Sequence, residues 1–274
     1  MSNKTVLITG TSSGIGLATA VAAAQSGWQV MATMRDTTKA AALLAAAEQA
    51  GVAVDVRALD VTDPASVAAC LAGIDRLDAL VNNAGAGHLG TLEQESLDDV
   101  RAVMEVNFFG VLNVTKAALP LLRRGAGRVV TVTSVGGVVG QPFNEAYCAA
   151  KFAVEGFMES LAPVAARVGV AVSVVEPGAV ASEFVSNVGI TDTVLEQAGP
   201  YAPALSAYLA RTRSAFANAQ TPQDVAGRMV ELLAAQRPPF RMLTSDAART
   251  FAGVKLADLD GSAVQTLTGA WTVQ

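Results

Sequence analysis

A tyrosine and a lysine stand four residues apart in the segment Tyr147–Lys151, among small residues typical of a helix. Residues at this spacing share one face of a helix, so the phenol and the ammonium group would lie side by side. A free tyrosine has a pKa of about 10, and a neighbouring positive charge stabilises its phenolate and lowers that pKa. The pair could therefore exchange protons with a substrate near neutral pH, although the same spacing also arises by chance in many helices.

A glycine-rich segment near the N-terminus has the character of a phosphate-binding loop. Residues 9–16 read TGTSSGIG and join an apolar strand to an apolar helix. Gly10 permits a tight turn, Gly14 lets the backbone approach a pyrophosphate, and Gly16 lets the helix pack closely on the strand. Free N–H groups at the helix start then face the phosphates, whereas the alternative is an ordinary turn. The predicted cofactor contacts here are Gly10, Ser12, Ser13, Gly14, Ile15 and Gly16.

Short β-branched runs alternate with longer Ala-rich segments, a pattern that predicts strands separated by helices. Such crossovers give a parallel sheet covered on both faces. We therefore predict an α/β fold over residues 1–274: a single Rossmann-type domain with a doubly wound, seven-stranded parallel sheet flanked by helices. The candidate strands are Thr5–Thr9, Gln29–Met34, Ala53–Leu59, Ala79–Asn82, Arg128–Ser134, Ala171–Glu176 and Phe240–Thr244. Helices are expected near 15–26, 38–50, 63–73, 96–124, 145–168 and 221–236.

Two regions fall outside this alternation. Residues 181–220 show no regular strand pattern, and we interpret them as a lid over the substrate. Residues 245–274 form a C-terminal extension after the last strand, which we expect to cover the lid or to block a second interface.

Further motifs follow the glycine loop, whose spacing G-x-x-x-G-x-G has the longer gap first. They are Asn82-Asn83-Ala84-Gly85 after the fourth strand, Asn107 in a long helix, Ser134 ending the fifth strand, Tyr147-Cys148-Ala149-Ala150-Lys151, and Pro177-Gly178 after the sixth strand. In this order the motifs resemble the short-chain dehydrogenase/reductase superfamily, in its shorter-chain subgroup, over roughly residues 4–185. The resemblance implies an oxidoreductase that interconverts a ketone or aldehyde and an alcohol with a nicotinamide dinucleotide.

The resemblance also implies roles around the reacting atoms. Tyr147 is the acid/base, and Lys151 lowers the pKa of Tyr147 and holds ribose hydroxyls next to the nicotinamide. Ser134 binds the substrate oxygen, and Asn107 holds a water that connects Lys151 to solvent. Taken singly, Ser134 could be a turn residue and Asn107 a helix-packing residue. The presence of both Tyr147 and Lys151 favours an active enzyme over the alternative of a dinucleotide-sensing protein without turnover.

More cofactor contacts are implied in the same way. Asp60 and Val61 resemble the family's adenine contact, the alternative being that this segment only caps the next helix. The backbone of Val180 and the hydroxyl of Ser182, where threonine is more usual, are expected to contact the nicotinamide carboxamide. The set also includes Asn82, Ala84, Gly85, Tyr147, Lys151, Pro177 and Gly178.

The end of the second strand bears on the choice of cofactor. An enzyme specific for NAD(H) places a carboxylate there to accept from the ribose hydroxyls, but that position is Met34. Arg35 follows, and its guanidinium suits a 2′-phosphate, to which Ser12 can add a hydroxyl donor. We therefore predict NADP(H) in preference to NAD(H). In the competing interpretation Asp36 reaches the ribose and Arg35 is a solvated surface charge.

The segments expected near the carbonyl group of the substrate are mostly apolar. Arg211 and Arg213 are the only basic residues of the lid. This composition predicts an apolar or aromatic substrate. Residues 143–156 and 32–36 are similar to the hydroxysteroid and retinol dehydrogenase branch, which implies a steroid-like substrate; a polyketide-type ketoreductase is the alternative. An epimerase or dehydratase on the related longer fold is disfavoured by the glycine spacing. His88 could line the pocket or be an ordinary loop residue.

Composition restricts the partners. The net charge is −5 without a basic block, which argues against nucleic acid. We predict no membrane span, because apolar runs of about 18 residues are missing, and a cytoplasmic protein whose two cysteines are reduced. One histidine and two cysteines predict no metal site. Surplus apolar residues in the helices near 96–124 and 145–168 predict a homodimer or homotetramer.

Overall fold

The computed structural model describes residues 4–182, 195, 197–216 and 218–273. Its seven parallel strands form one sheet in the order β3-β2-β1-β4-β5-β6-β7. The strands are β1 (Thr5–Thr9), β2 (Gln29–Met34), β3 (Asp55–Ala58), β4 (Ala79–Asn82), β5 (Arg128–Val132), β6 (Ala171–Glu176) and β7 (Arg241–Leu243). The predicted doubly wound Rossmann-type sheet is confirmed.

Ten α-helices lie in the part of the chain that the structure describes. They are α1 (Gly14–Gln25), α2 (Ala41–Gln49), α3 (Pro64–Leu71), α4 (Leu97–Met104), α5 (Gly110–Arg124), α6 (Glu145–Ala166), α7 (Ala202–Phe216), α8 (Pro222–Ala234), α9 (Asp246–Ala257) and α10 (Ser262–Gly269). Short 3-10 turns occur at Thr37–Ala40, Val135–Gly137, Gly199–Tyr201 and Ala270–Thr272.

The core has one layer on each face of the sheet. In β1, Val6 and Ile8 pack toward α1, α2 and α8, whereas Leu7 packs toward α3, α5 and α6. All three side chains are fully buried. Because successive side chains of a strand point to opposite faces, a strand covered on both sides is apolar throughout, which explains the uninterrupted apolar runs in the sequence.

Helices α4 and α5 form one continuous span, Leu97–Arg124, joined by a π-helical turn at Glu105–Phe109. By length and composition this span could cross a membrane, and it is the single such helix among the described residues. It packs against β4, β5 and α3, and Val111 and Val114 are buried in the core. We therefore interpret it as a core helix of the α/β domain.

The regions interpreted as lid and extension pack on each other. In the lid region, residues 183–194, 196 and 217 lie outside the described residues, and helix α7 follows. The Tyr208 ring of α7 lies 6.5 Å from the ring of Trp271 and 5.7 Å from that of Phe143, centroid to centroid. The extension therefore reaches back to α7, and α7 reaches the loop before α6. Whether 181–220 closes over a substrate stays a prediction.

Candidate active site

The glycine loop follows β1 and has the backbone that its glycines require. Gly10 and Gly14 have positive φ values of 71° and 57°, which favour glycine. A Cβ atom on Gly10 would lie 2.8 Å from the Cα atom of Ala84. A Cβ atom on Gly16 would meet the carbonyl oxygen of Gly10 and the amide nitrogen of Asn83. The predicted close packing of the helix start on the strand is what the structure shows.

The turn after β4 is bonded to this loop. The Asn83 side-chain amide donates to the carbonyl oxygens of Thr9 (2.9 Å) and Gly10 (3.0 Å). The backbone N–H groups of Asn83 and Ala84 both donate to Thr9 Oγ1 at 3.0 Å. Asn83 is therefore a structural residue of the site that the sequence analysis missed, although its place in the Asn-Asn-Ala-Gly motif was the available signal.

Asn82, a predicted cofactor contact, has its side chain in the core. Its amide nitrogen donates to the Thr115 hydroxyl at 2.9 Å and lies 3.3 Å from that of Thr131. The residue is 2% exposed. Of the other two predicted contacts in this motif, Gly85 is exposed and Ala84 is partly exposed.

An open cleft of about 510 Å³ lies beside the glycine loop. It is lined by Ser12, Ser13, Gly14, Leu17, Ala42, Ala181, Ser182 and Pro222. A Cβ atom on Gly14 would lie 3.4 Å from the Cβ atom of Ser182, so two distant predicted cofactor segments face each other. Val180 is buried and bridges to Gln220, and the Pro177 carbonyl accepts from the N–H of Val135 at 3.0 Å. These bonds hold the segment after β6 at the carboxyl end of the sheet, where ligands bind in such folds.

Two of the four residues predicted around the reacting atoms, Ser134 and Tyr147, converge at Gly136, and Lys151 lies behind the Tyr147 ring. A Cβ atom on Gly136 would lie 3.4 Å from Ser134 Oγ and from the Tyr147 ring carbon Cε1. The Gly136 N–H donates to Ser134 Oγ at 3.0 Å. Lys151 Nζ lies 5.7 Å from the Tyr147 ring centroid and donates to the Val132 carbonyl at 3.2 Å. The structure therefore brings Ser134, Tyr147 and Lys151 together.

Burial sets the proton affinities of these groups. Burial raises the pKa of the Tyr147 phenol, and a hydrogen bond with Ser134 opposes the rise. Burial also lowers the pKa of Lys151 to about 8, which the negative charge of Glu155 opposes. Desolvation therefore acts against the lowering of the Tyr147 pKa that was expected from its lysine neighbour, and it favours the protonated phenol.

Asn107 lies in the π-helical turn between α4 and α5, a distortion frequent at functional sites. It is fully buried, and its amide nitrogen donates to the carbonyls of Ala86 and Val103, both at 3.0 Å. A Cβ atom on Gly85 would lie 2.8 Å from Asn107 Oδ1 and 3.5 Å from Lys151 Nζ. Asn107 is therefore close to Lys151, while its part in holding a water stays a prediction.

Arg35 is exposed directly after β2, and among the described residues it makes no hydrogen bond or ion pair. Asp36 is engaged elsewhere: Oδ1 accepts from the Thr38 N–H at 3.0 Å and from its hydroxyl at 2.6 Å. The Asp60 carboxylate accepts from the N–H and hydroxyl of Thr62, at 2.9 and 2.7 Å. Its adenine contact stays a prediction, as does that of Val61, which is buried against Gly110.

His88 bonds within its own loop, with Nε2 2.7 Å from Glu95 Oε1. Metal-binding side chains do not cluster anywhere in the described ranges.

The sequence matches known proteins over almost its whole length. The family model for short chain dehydrogenases matches residues 4–192. Retinol dehydrogenase 8 of Bos taurus is 43% identical over 271 residues, which are 94% of this chain and 87% of that protein. The 17-beta-hydroxysteroid dehydrogenase type 1 of Mus musculus is 40% identical over 273 residues, 96% of this chain and 79% of that protein.

Solved structures agree with this match. A short-chain dehydrogenase from Streptomyces avermitilis has a TM-score of 0.76 at 30% identity, covering 99% of this chain and 96% of that one. An actinorhodin polyketide ketoreductase with NADPH has a TM-score of 0.70 at 29% identity, covering 88% and 95%. A family member from Burkholderia phymatum in complex with NAD shares the fold, with a TM-score of 0.80 at 24% identity over 94% of each chain.

The chain therefore belongs to the short-chain dehydrogenase/reductase family of oxidoreductases. Its relatives place it in the hydroxysteroid and retinol dehydrogenase branch, as the motifs around Tyr147 implied.

The close packing at Gly16 predicts that alanine there opens the glycine loop. We expect Gly16→Ala to weaken NADPH binding at least about tenfold, because the new methyl group displaces the Gly10 carbonyl and the Asn83 amide. Titration of NADPH fluorescence measures the affinity. Gly227→Ala is the matched control: that glycine lies in α8 with open space around it, so binding is retained and stability rises by about 0.5–1 kcal/mol. Equal affinity in both variants would contradict the loop assignment.

Proposed function

We propose that this oxidoreductase uses NADP(H) to interconvert an apolar ketone or aldehyde and its alcohol, with Tyr147 as the acid/base. The observation that carries the proposal is the convergence of Ser134 and Tyr147 on Gly136, with Lys151 behind the phenol. The site lies at the same sheet edge as the glycine loop, as a hydride transfer between cofactor and substrate requires.

The residues of the cleft fit a dinucleotide. Ser13 stands at the N-cap of α1 without a side-chain cap hydrogen bond, and the first turn has no acidic residue. The first N–H groups and the positive end of the helix dipole are therefore available to a pyrophosphate. The glycine loop and α1 would hold the phosphates, and Lys151 would hold ribose hydroxyls. When bound, the nicotinamide supplies or accepts the hydride.

The protein's own groups handle the substrate oxygen. Ser134 Oγ accepts from the Gly136 N–H and the serine hydroxyl also bonds to Tyr147, so in the proposed complex the serine hydrogen would turn to the oxygen of a carbonyl substrate. The raised pKa of Tyr147 keeps the phenol protonated, so it can donate to that same oxygen as negative charge develops. The Lys151 ammonium then stabilises the phenolate that remains. In the alcohol-oxidising direction these proton transfers are reversed.

The acid/base assignment is tested by removing one oxygen atom. We expect Tyr147→Phe to lower kcat about 100- to 10,000-fold in NADPH-dependent reduction, since the proton donor is lost while the ring still packs. Tyr201→Phe is the control, because Tyr201 is exposed and its hydroxyl donates to Glu93 on the surface. Absorbance of NADPH reports the rate. Unchanged turnover in Tyr147→Phe would refute the mechanism, and tight NADPH binding without turnover in the unmodified protein would favour a sensing protein.

Arg35 supports NADP(H) as the cofactor. Its guanidinium is exposed and, within the described residues, makes no hydrogen bond or ion pair, although its charge helps to lower the pKa of Asp36 and of Asp60. The neighbouring Asp36 carboxylate already accepts two hydrogen bonds from Thr38. Those two bonds lower the pKa of Asp36, so the carboxylate is ionised and held on its own turn. The competing interpretation, in which Asp36 binds the ribose, would require both bonds to break. A guanidinium can bind a 2′-phosphate through paired hydrogen bonds.

Replacing Arg35 tests this cofactor preference. We expect Arg35→Ala to raise KM for NADPH about 10- to 100-fold and to leave KM for NADH within about twofold, because only NADPH carries the 2′-phosphate. Arg249→Ala removes another exposed arginine, on α9, and should change neither value. Steady-state kinetics with both cofactors gives the comparison. An equal loss with NADH and NADPH would show that Arg35 does not read the phosphate.

The proposed substrate is an apolar carbonyl of the steroid or retinoid type. Two relatives are named for retinol and for a 17-beta-hydroxysteroid, and this chain covers most of their lengths. The loop before α6 contributes Val138, Val139 and Phe143, all buried, and Tyr208 of α7 packs on Phe143. Val138 and Val139 pack on Ala252 and Val264 of the extension. An apolar region of this kind favours an apolar ring system over a charged substrate. Activity with a 17-ketosteroid and retinaldehyde, compared with an aromatic polyketide-like ketone, distinguishes the classes.

We also propose a homodimer or homotetramer that uses the outer faces of α5 and α6. Phe157 of α6 is 40% exposed and Phe109, at the start of α5, is 46% exposed; each lies edge-on to Phe108 between them. Such aromatic exposure is typical of subunit interfaces. Light scattering on the eluting protein measures the mass, and a particle of 27.9 kDa, the mass of one chain, would contradict the proposal.

The cytoplasmic location stays a prediction from the sequence.

A further inference from the structure

A buried cluster of charged side chains lies beneath the active site. Glu155 of α6 and Glu176 at the end of β6 are 5% and 0% exposed. Arg241 of β7 lies between them, with Nη2 3.3 Å from Glu155 Oε2 and Nη1 2.9 Å from Glu176 Oε1, the latter pair without hydrogen-bond alignment. One guanidinium thus faces two carboxyl groups. Burial raises the pKa of both carboxyls, that of Glu176 to about 8, whereas the positive charge of Arg241 opposes the rise in each.

The cluster is joined to the catalytic residues by the spacing of α6. Glu155 follows Lys151 by one turn and Tyr147 by two, so the three side chains share a face of the helix. Lys151 Nζ donates to the carbonyl of Val132, and Glu155 Oε1 accepts from the hydroxyl of the next residue, Thr133. The residue after that is Ser134. Two α6 side chains therefore hold consecutive residues of the chain immediately before Ser134.

Stability alone gives no reason for this cluster. Removing two carboxyls from water is costly, and apolar side chains of similar volume at such positions are often as stable or more so. An ionised Glu155 does have a local effect, because Lys151 is itself buried, at 4% exposure. The charged groups that act on Glu155 are Lys151 and Glu159 on its own helix, Glu176 on β6 and Arg241 on β7.

We propose that Glu155 is a positioning residue for the reaction: it keeps Lys151 charged behind Tyr147 and fixes Ser134 against the phenol through Thr133. Glu155 does not reach the substrate and acts through the groups it contacts. The inference rests on the proposed function, since it assigns Glu155 a part in the same proton transfer. Arg241 and Glu176 hold the Glu155 carboxylate in place and supply the remaining charge.

The sign of the electrostatic effect follows from the direction of each pKa shift. Burial lowers the pKa of Lys151, and the Glu155 charge raises it again. Removing that charge must therefore lower the pKa of Lys151 further, so that the ammonium loses its proton at a lower pH. In this proposal carbonyl reduction requires the charged form of Lys151. On the alkaline side of the pH–rate profile, activity is therefore lost at a lower pH than in the unmodified protein.

Three variants separate the effect of the Glu155 charge on Lys151 from the effect of its hydrogen bond with Thr133. In Glu155→Gln we expect the alkaline limb of kcat/KM for NADPH-dependent reduction to move to lower pH by about one unit, with kcat about tenfold lower. Thr133→Val removes the hydrogen bond to Glu155 without changing any charge. We therefore expect kcat to fall about tenfold, while the alkaline limb of the kcat/KM profile stays at the same pH. Glu159→Gln is the matched control, since it removes an exposed carboxylate one turn further along α6. The Glu159 charge raises the pKa of Glu155, so its removal favours the ionised Glu155 and should not move the alkaline limb to lower pH.

Thermal melts show which variants are folded before the profiles are compared. A Glu155→Gln profile that superposes on the unmodified one overturns the proposal, as does an equal displacement in Glu159→Gln. If Glu155→Gln does not fold, Thr133→Val decides, and an unchanged kcat there overturns the proposal. Failure of the proposed function has a different signature: Tyr147→Phe would then retain its turnover, whatever the Glu155 variants show.

Discussion

The two hydrogen bonds from the Asn83 amide to the carbonyls of Thr9 and Gly10 join the halves of this site. The glycine loop follows β1, and the turn that carries Asn83 follows β4, the neighbouring strand. A parallel sheet brings these strand ends to one edge but leaves the loops free to diverge. The amide removes that freedom, and the missing side chain of Gly16 makes room for it. Two predicted cofactor segments, the glycine loop and the turn after β4, are thereby held in one arrangement.

Burial is the second constraint, since it decides which groups carry protons. Desolvation raises the pKa of Tyr147 and lowers that of Lys151, so each group is driven toward its neutral form. The carboxylate of Glu155 opposes this for Lys151. A lysine that is both buried and charged needs a negative partner, and α6 provides one a turn away. In the proposed mechanism the same helix therefore carries the proton donor Tyr147, the cation Lys151 and its counter-charge Glu155.

Strand positions and the layers of helices followed from periodicity, and the shared helix face of Tyr147 and Lys151 followed from their spacing, because both depend on local geometry that the sequence displays. The place of Ser134 beside them was implied by the family resemblance. Strand ends were less accurate: β5 ends at Val132 rather than Ser134, since the ladder to β6 ends there. Side-chain direction at a strand end was not predictable either. Asn82 and Asn83 are adjacent residues of the same type. The Asn82 side chain nevertheless enters the core, whereas the Asn83 side chain hydrogen-bonds to the glycine loop. The Glu155 cluster was not predictable, because Glu176 and Arg241 lie on β6 and β7. No local sequence pattern shows that these strands contact α6.

The start of α6 is supported by α7, the helix in the region that we interpret as a lid. Phe143 has a φ of 59°, a strained conformation that costs about 1–3 kcal/mol and persists only where its surroundings hold it. Tyr208 of α7 provides such support, because its ring packs on Phe143 and its hydroxyl accepts from the Asn144 amide at 2.7 Å. Asn144 is the N-cap of α6, and Tyr147 lies in the first turn of that helix. The segment interpreted as a substrate lid therefore bears on the placement of the Tyr147 phenol, so in the proposed function substrate binding and proton transfer would share one structural support.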